Sequence, residues 1–528
     1  MAASGVSTEL SSQPSPPAGG GSLGKRYLFK LLSNIATIPL FFLLEMILPR
    51  ALGPAAYGNF NFATSLFQNI ANFLDMGTST CLHTALSKRP REFGLVSYYA
   101  RFSVLMLIFC LASAACVYLP RAGGLLMPGV PLWMALPAAL WAYLTWGGRV
   151  VRGMNDALGI TVRSELVRVG VNMISAAALV GLFLWGVLDL PVFFAHQYVF
   201  LLLTVAGFVW TLRGSWPGQG WKLGGQGFES YTREFYRYSS PLLVIALCSL
   251  LALTGERWML QFFDGSVQQG YFSLSQKIGI ACFLFVTAMT PLLMRELAVA
   301  HGNNDPAAMA RLLDRFAPMI YAVAAWFACF AVVEAPAVVR LFGGPAFEEA
   351  ALTVQIMAFY PIHQGYGQVA NSVYYATGET RALRNITVCS LLGGMACAWV
   401  LLAPAHLGGF GLGAAGLACK MVLVQVLTVN VLLLACRRIV PFNMGRNMAH
   451  QIVCPLLLLA MALAAKQLTL ALGLGPEDGL VRFFISGVCY MFFCAAAVLI
   501  FPFLGGVTRK ELFSQSRRLL YYASGKKH

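Results

Sequence analysis

The feature that most limits the possible folds is the recurrence, from Tyr27 to Leu504, of apolar stretches about twenty residues long joined by short polar connections. A helix of about twenty apolar residues crosses the ~30 Å hydrocarbon layer of a bilayer. With 58% hydrophobic and only 11% charged residues among 528, and a mean hydropathy of +0.69, a soluble multidomain protein is excluded. A nucleic-acid binder is excluded as well, despite a formal net charge of +16. No polar stretch between the apolar runs is long enough to fold alone, so a membrane-anchored soluble enzyme is also excluded.

A hydropathy walk predicts an all-α polytopic membrane protein of about fourteen transmembrane helices. The first six predicted spans are Tyr27 to Leu48, Asn59 to Leu86, Phe102 to Leu119, Pro131 to Val151, Leu166 to Leu188 and Pro191 to Leu212. The next six are Ser239 to Phe263, Gly270 to Leu297, Phe316 to Val339, Ala350 to Thr377, Ile386 to Leu402 and Gly413 to Cys436. Ile452 to Leu472 and Leu480 to Leu504 follow as an appended pair. Lys and Arg crowd alternate connections, from Lys25 and Lys88-Arg89-Pro90-Arg91 through Arg213, Arg237, Arg311 and Arg437 to a basic tail, whereas the opposite loops hold little beyond Arg50, Arg121, Arg340 and Arg482. Positive charge is retained on the cytoplasmic side, so both termini are expected in the cytoplasm. Anionic membrane lipids are the natural partner of that face.

Residues 1–24, rich in Ser, Pro and Gly, read as a disordered cytoplasmic tail, and residues 506–528 as a basic one. Between them an N-terminal lobe (25–213), a cytoplasmic linker (214–238), a C-terminal lobe (239–436) and the last two spans (437–505) are expected. An internal echo supports the division. Gly58-Asn59-Phe60-Asn61-Phe62-Ala63 opens the second span, and Gly270-Tyr271-Phe272-Ser273-Leu274-Ser275 opens the eighth, an even number of spans later. Such spacing predicts two pseudo-symmetric six-helix lobes related by an axis along the membrane normal, facing a central cavity.

Polar stripes indicate which faces avoid lipid. The second span carries Asn61, Ser65, Gln68, Asn72, Asp75, Ser79 and His83, spaced four and three apart and so expected on one helix face. The tenth repeats the pattern with Gln364, Gln368, Asn371 and Tyr375. Interhelical polar contacts account for two or three such residues; an unbroken stripe fits the wall of a water-filled cavity. Charges within spans cost about 2.5–3.5 kcal/mol each on insertion scales. Arg257, Lys277 and Lys420 are expected about 10 Å below the outer surface. They fit a cationic patch for an anionic substrate group, or side chains that snorkel or pair with acids such as Glu256. Lys466, in an appended span, reads as a snorkelling side chain. Glu45, Asp75 and Glu256 are candidates for ion coupling, with structural ion pairing as the alternative for Glu45 and Glu256.

Nothing points to catalysis, a metal or a cofactor. The thirteen cysteines include no Cys-x-x-Cys, and nearly all lie in apolar runs. No histidine pair has ligand spacing. Gly19, Gly24 and Lys25 imitate a phosphate loop until Arg26 takes the place of its Ser or Thr. Uphill transport would then draw on an ion gradient or the membrane potential.

The stretch Ile47-Leu48-Pro49-Arg50-Ala51-Leu52-Gly53-Pro54-Ala55-Ala56-Tyr57-Gly58 closely resembles the signature of bacterial polysaccharide flippases of the Wzx type, within the multidrug/oligosaccharidyl-lipid/polysaccharide exporter superfamily. Weaker matches are Asp75-Met76-Gly77, Glu256-Arg257 with Gln276-Lys277, Ala376-Thr377-Gly378 and the glycine-rich run from Gly411 to Ala418. The resemblance implies a flippase that carries an oligosaccharide repeat unit on polyprenyl diphosphate across the bacterial inner membrane. Its products are O-antigen, capsule or exopolysaccharide, and its partners include a polysaccharide polymerase and a chain-length regulator. Arg257, Lys277 and Lys420 would meet the diphosphate and the stripes would meet the sugar. A drug or cation exporter of the same superfamily fits less well, because its cavity should be acidic and aromatic. A membrane polymerase or glycosyltransferase would need a larger outer loop than this chain has, and a purely structural subunit would leave the stripes unexplained.

Overall fold

A computed structural model describes residues 23–90, 92–213, 228–287, 290–474 and 479–502. The two predicted tails, apart from Leu23 and Gly24, and the first part of the predicted linker lie outside the described residues. The described chain is helical. Helix α1 (Leu23–Asp75) carries the first crossing and most of the second, and α2 (Thr78–Lys88) completes the second. Then come α3 (Phe93–Cys116), the short α4 (Ala122–Leu126), α5 (Ala135–Ala157), α6 (Thr161–Leu184) and α7 (Leu190–Leu212). Helix α8 (Phe228–Ser239) leads into the second lobe, where α9 (Leu243–Thr287) carries two crossings and α10 (Thr290–Gly302) extends the second of them. Helix α11 (Pro306–Val333) is followed by the short α12 (Ala335–Gly343) and α13 (Ala351–Met357), then α14 (Tyr360–Thr377), α15 (Thr380–Leu402) and α16 (Gly413–Cys436). The last pair is α17 (Met444–Ala471) and α18 (Gly479–Ile500).

Ten helices among the described residues are long and apolar enough to span a membrane. Two of these, α1 and α9, each break in the middle, and the polar α5 and α14 fall below the hydropathy limit, which accounts for about fourteen crossings. The breaks are equivalent. Gly53 (φ 73°, ψ 171°) divides α1, and Gly265 (φ 79°, ψ −174°) divides α9 at the same spacing that separates the two sequence echoes. Both backbones enter a region that only glycine occupies without strain. Five residues after each break a second glycine lets the lobes touch. A Cβ on Gly58 would lie 1.9 Å from the Ser266 carbonyl oxygen, and one on Gly270 would lie 2.2 Å from that of Pro54. Pro54 and Ser266 are themselves related by the same offset, so the contact is reciprocal, as a pseudo-two-fold axis requires.

Lipid is as apolar as leucine, so helix association here depends on close packing more than on burial of apolar surface. The interior is accordingly rich in small side chains: Ala138, Ala139 and Ala142 of α5 and Ala324, Ala325 and Ala328 of α11 are all fully buried. Large apolar groups such as Ile174, Leu427 and Phe492 are exposed and face outward toward lipid.

Two expectations need correction. The second span is not one straight helix: Met76 (φ 41°) and Gly77 (φ 79°) interrupt it, so Ser79 and His83 belong to α2 and do not continue the stripe of Asn61 to Asp75. The appended pair, α17 and α18, shares the apolar cluster of the second lobe with α11 and α14. Lys466 does not snorkel; its ammonium donates 3.1 Å to the Val333 carbonyl, the last residue of α11, where a cation also meets the negative end of the helix dipole. Pro455 supplies a further tie. It has no N–H for the Gln451 carbonyl one turn back, and the buried Tyr321 hydroxyl of α11 donates to that carbonyl at 2.9 Å.

Candidate transport site

At the end of the bundle that holds both glycine breaks, the two lobes are stitched together by hydrogen bonds without an ion pair. Ser266 Oγ donates to Asn59 Oδ1 at 2.6 Å, and Gln261 Nε2 donates to the Pro128 carbonyl at 3.0 Å. Trp258 Nε1 reaches the Leu125 carbonyl at 2.6 Å. Arg50 of the signature stretch caps the C-terminal end of α12, with 3.0 Å to the Arg340 carbonyl and 2.8 Å to that of Leu341. Farther in, Asn69 and Thr254 meet across the seam at 3.3 Å. That end of the bundle is therefore shut.

Beneath this seal lie the charged candidates. Glu45 and Arg257 precede the breaks at Gly53 and Gly265 by the same eight residues, about 12 Å along each helix. They occupy pseudo-symmetric positions with opposite charge. Lys277 is deeper than expected, about 18 Å beyond Gly265, because the helix starts at that break and not at Gly270. Its ammonium lies 2.6 Å from Glu45 Oε1, so the pair crosses the seam, and Tyr57 donates its hydroxyl to Glu45 Oε2 at 3.3 Å. Lys420 pairs with Glu256 inside the second lobe, and both side chains are almost wholly buried. Arg257 differs. Its guanidinium donates to Ser273 Oγ at 3.3 Å and to Gln276 Oε1, and lies 5.2 Å over the Phe272 ring. Among the described residues no carboxylate lies within ion-pair distance of it. The structural alternative for Glu45 and Glu256 thus holds geometrically, and Arg257 keeps a charge that only neutral groups contact.

Asp75 sits at the interruption between α1 and α2. Its carboxylate accepts from Thr78 Oγ1 (3.1 Å), the Ser79 amide (3.1 Å), Ser79 Oγ (2.8 Å), Tyr99 (3.3 Å) and Trp146 Nε1 (3.0 Å). It therefore serves the first turn of α2 as a side-chain cap. Asn61 and Ser65 bond to backbone carbonyls of their own helix, at 2.8 Å and 2.9 Å. Gln68 donates to Asn72 at 3.2 Å, and the exposed Asn72 also accepts 2.9 Å from Arg149 of α5. Arg149, near the end of the predicted fourth span, was not among the candidate site residues. Its spacing three residues from Trp146, which bonds Asp75, places both on the α5 face that meets the stripe. Helix α14 is the fourth crossing of its lobe, as α5 is of the other. Gln364, Gln368, Asn371 and Tyr375 line its accessible side, where most other residues from Pro361 to Tyr374 are buried.

At the end of the bundle away from the glycine breaks, α8 packs against the first lobe. Arg89 bridges Glu234 at 2.6 Å and Glu92 at 3.2 Å, and Phe235 is buried beside Tyr98 and Tyr99. Tyr231 donates to Glu92, and burial together with that carboxylate pushes its hydroxyl up to about 12. The i, i+3, i+7 pattern of Phe228, Tyr231 and Phe235 is the signal of an amphipathic helix. Among the described residues no group of His, Cys, Asp and Glu could hold a metal ion.

No curated protein sequence matches the chain. Among solved structures it is similar to a lipid II flippase MurJ in an inward closed conformation, with TM-score 0.64 and 12% identity over 90% of this chain and 98% of that one. It is also similar to multidrug resistance MATE transporters of the MOP superfamily. The inward-facing one gives TM-score 0.55 and 14% identity over 78% and 97% of the two chains, and the outward-facing one 0.50 and 16% over 79% and 96%. At such identities the likeness establishes the fold of two six-helix lobes. A family model described as "Polysaccharide biosynthesis protein" matches residues 23–292, from the first helix through both glycine breaks and the Glu45, Glu256, Arg257 and Lys277 cluster, so this multi-pass membrane protein belongs to that family.

Proposed function

We propose that the chain is a flippase that moves polyprenyl-diphosphate-linked oligosaccharide repeat units from the cytoplasmic to the periplasmic leaflet of a bacterial inner membrane, with both termini in the cytoplasm. It is a carrier and not an enzyme, supplying surface-polysaccharide synthesis and working beside a polymerase and a chain-length regulator. The observation that carries this reading is Arg257, a guanidinium between two lobes whose hydrogen-bond partners, Ser273 and Gln276, are neutral. In a site shielded from bulk water such a charge attracts an anion far more strongly than it would in solvent, and guanidinium matches phosphate geometry. Arg149, bonded to neutral Asn72 nearer the cytoplasm, meets the anionic head first. Asn61, Ser65, Gln68 and Asn72 on one side and Gln364, Gln368, Asn371 and Tyr375 on the other offer hydrogen bonds to the sugar, while the polyprenyl tail stays in lipid.

The lobes rock against each other, packed at the glycine crossing when the outer side is shut and parted there when it opens, so the cavity opens alternately inward and outward. Ion coupling runs through Asp75: protonation would remove the charge its donors converge on and loosen the joint between α1 and α2. A multidrug exporter shares the fold, but an unneutralised Arg257 in the cavity would repel its cationic cargo.

The test is accumulation of lipid-linked repeat units on the cytoplasmic leaflet in a deletion strain. Wild type should restore export, Arg257→Lys in part, and Arg257→Gln, at equal membrane abundance, should not. Full export with Arg257→Gln would remove the anion site from this reading.

A further inference from the structure

Two lysine–glutamate pairs lie under the outer seal, and burial separates their roles. Lys420 and Glu256 are 7% and 5% exposed and belong to one lobe, so parting them would strand a buried charge. Lys277 is 34% exposed and its partner Glu45, on the opposite lobe, only 11%. Water or an arriving anion can take over the lysine, while Glu45 stays fixed by its helix and by Tyr57. The other side-chain ties at the outer seam, Asn59 with Ser266, Gln261 with Pro128, Trp258 with Leu125 and Arg50 with the carbonyls at the end of α12, all end on uncharged acceptors and face no carboxylate, so water can replace them.

We propose that Glu45 is a tethered counter-anion that occupies Lys277 until the diphosphate of the cargo displaces it, so that cargo binding itself unlatches the outer seam. This rests on the reading of the cargo as an anionic lipid-linked sugar. A diphosphate carries more charge than a carboxylate, and it meets Lys277 together with Arg257, the opposite-charge counterpart of Glu45 across the pseudo-two-fold axis. Once it is seated, Glu45 faces an anion where it had faced a cation. The attraction across the seam becomes repulsion, and the lobes part on the outer side. When the cargo leaves, Glu45 recaptures Lys277 and the carrier resets. The latch supplies the differential affinity for the two states without which no ligand shifts a conformational equilibrium.

The experiment places spin labels at Leu125, exposed on the outer side of the first lobe, and Phe410, exposed on that of the second. Reconstituted full-length protein with its native cysteines replaced is used, and the distance between labels is read by pulsed paramagnetic resonance. Wild type should give the short distance, and geranylgeranyl diphosphate should raise the long-distance population at least fivefold. Glu45→Gln should reach that population without any diphosphate. The charge-swapped pair Glu45→Lys with Lys277→Glu should return to the short distance, which excludes misfolding as the cause. A Glu45→Gln distribution equal to wild type, a swap that fails to restore closure, or a wild type indifferent to the diphosphate would each overturn the latch. The Glu45→Gln arm needs no cargo, so failure of the flippase reading is scored separately, by repeat-unit accumulation.

Discussion

The crossing of Gly58 and Gly270 sets how closely the two lobes can approach, and one methyl group tests it. In Gly58→Ala the new carbon would stand 1.9 Å from the Ser266 carbonyl oxygen and 2.7 Å from the Gly270 amide nitrogen. Carbon and carbonyl oxygen ordinarily come no nearer than about 3.3 Å, so the seam must widen by about 1.4 Å. Both obstacles are backbone, and no rotamer change relieves them. Overpacking of this kind costs about 1–3 kcal/mol. The gain in helix propensity, about 1 kcal/mol, is the same in either conformation and cancels from their equilibrium. The closed outer seam should therefore lose about five- to 150-fold in population. Gly270→Ala, which meets the Pro54 oxygen at 2.2 Å, should behave alike because the contact is reciprocal. Labels at Leu125 and Phe410 should report longer distances in both variants, and transport should slow because the inward state is depleted. If both variants keep the wild-type distance distribution and thermal midpoint, this crossing does not set how closely the lobes approach.

Lys420→Met should lower stability by about 3–5 kcal/mol, because Glu256 is left buried and unpaired. Adding Glu256→Gln should recover most of the loss in a detergent melting assay, and no recovery would mean that the pair is not the cause. Asp75→Ala removes the cap of α2 and should cost about 1–2 kcal/mol, seen as faster hydrogen exchange at the Ser79 amide; unchanged exchange would deny Asp75 that role. At the contact of α8 with the first lobe, Tyr231 has its hydroxyl raised to about 12, first by burial and then by Glu92. A raised value means that its contribution to docking α8 is complete below its ordinary value of 10.0 and fades as pH climbs through about 12. Proteolytic protection of α8 should thus be flat across neutral pH, and a drop between pH 6 and 8 would contradict it.

Much of the molecule was legible because bilayers impose local rules. Apolar length sets the crossings, and a repeated glycine motif revealed the two-fold relation. The breaks at Gly53 and Gly265 lay inside the signature stretch and just before its echo, but one-dimensional hydropathy cannot distinguish a kink from a loop. Asp75-Met76-Gly77 carried the signal for the interruption of the second span, since only a glycine-containing step enters the left-handed region so readily. Periodicity alone hid it.

The pairing of charges could not be read in the same way. Glu45 and Lys277 stand 232 positions apart and Glu256 and Lys420 164, and nothing local specifies which acid meets which base. By itself the sequence determined what must lie in the membrane and which residues must avoid lipid, because transfer free energies act residue by residue. Only the tertiary structure decided that two of the three cations are already neutralised and that Arg257 is contacted by neutral groups, because electrostatic partnership depends on distance and burial across the seam of two lobes.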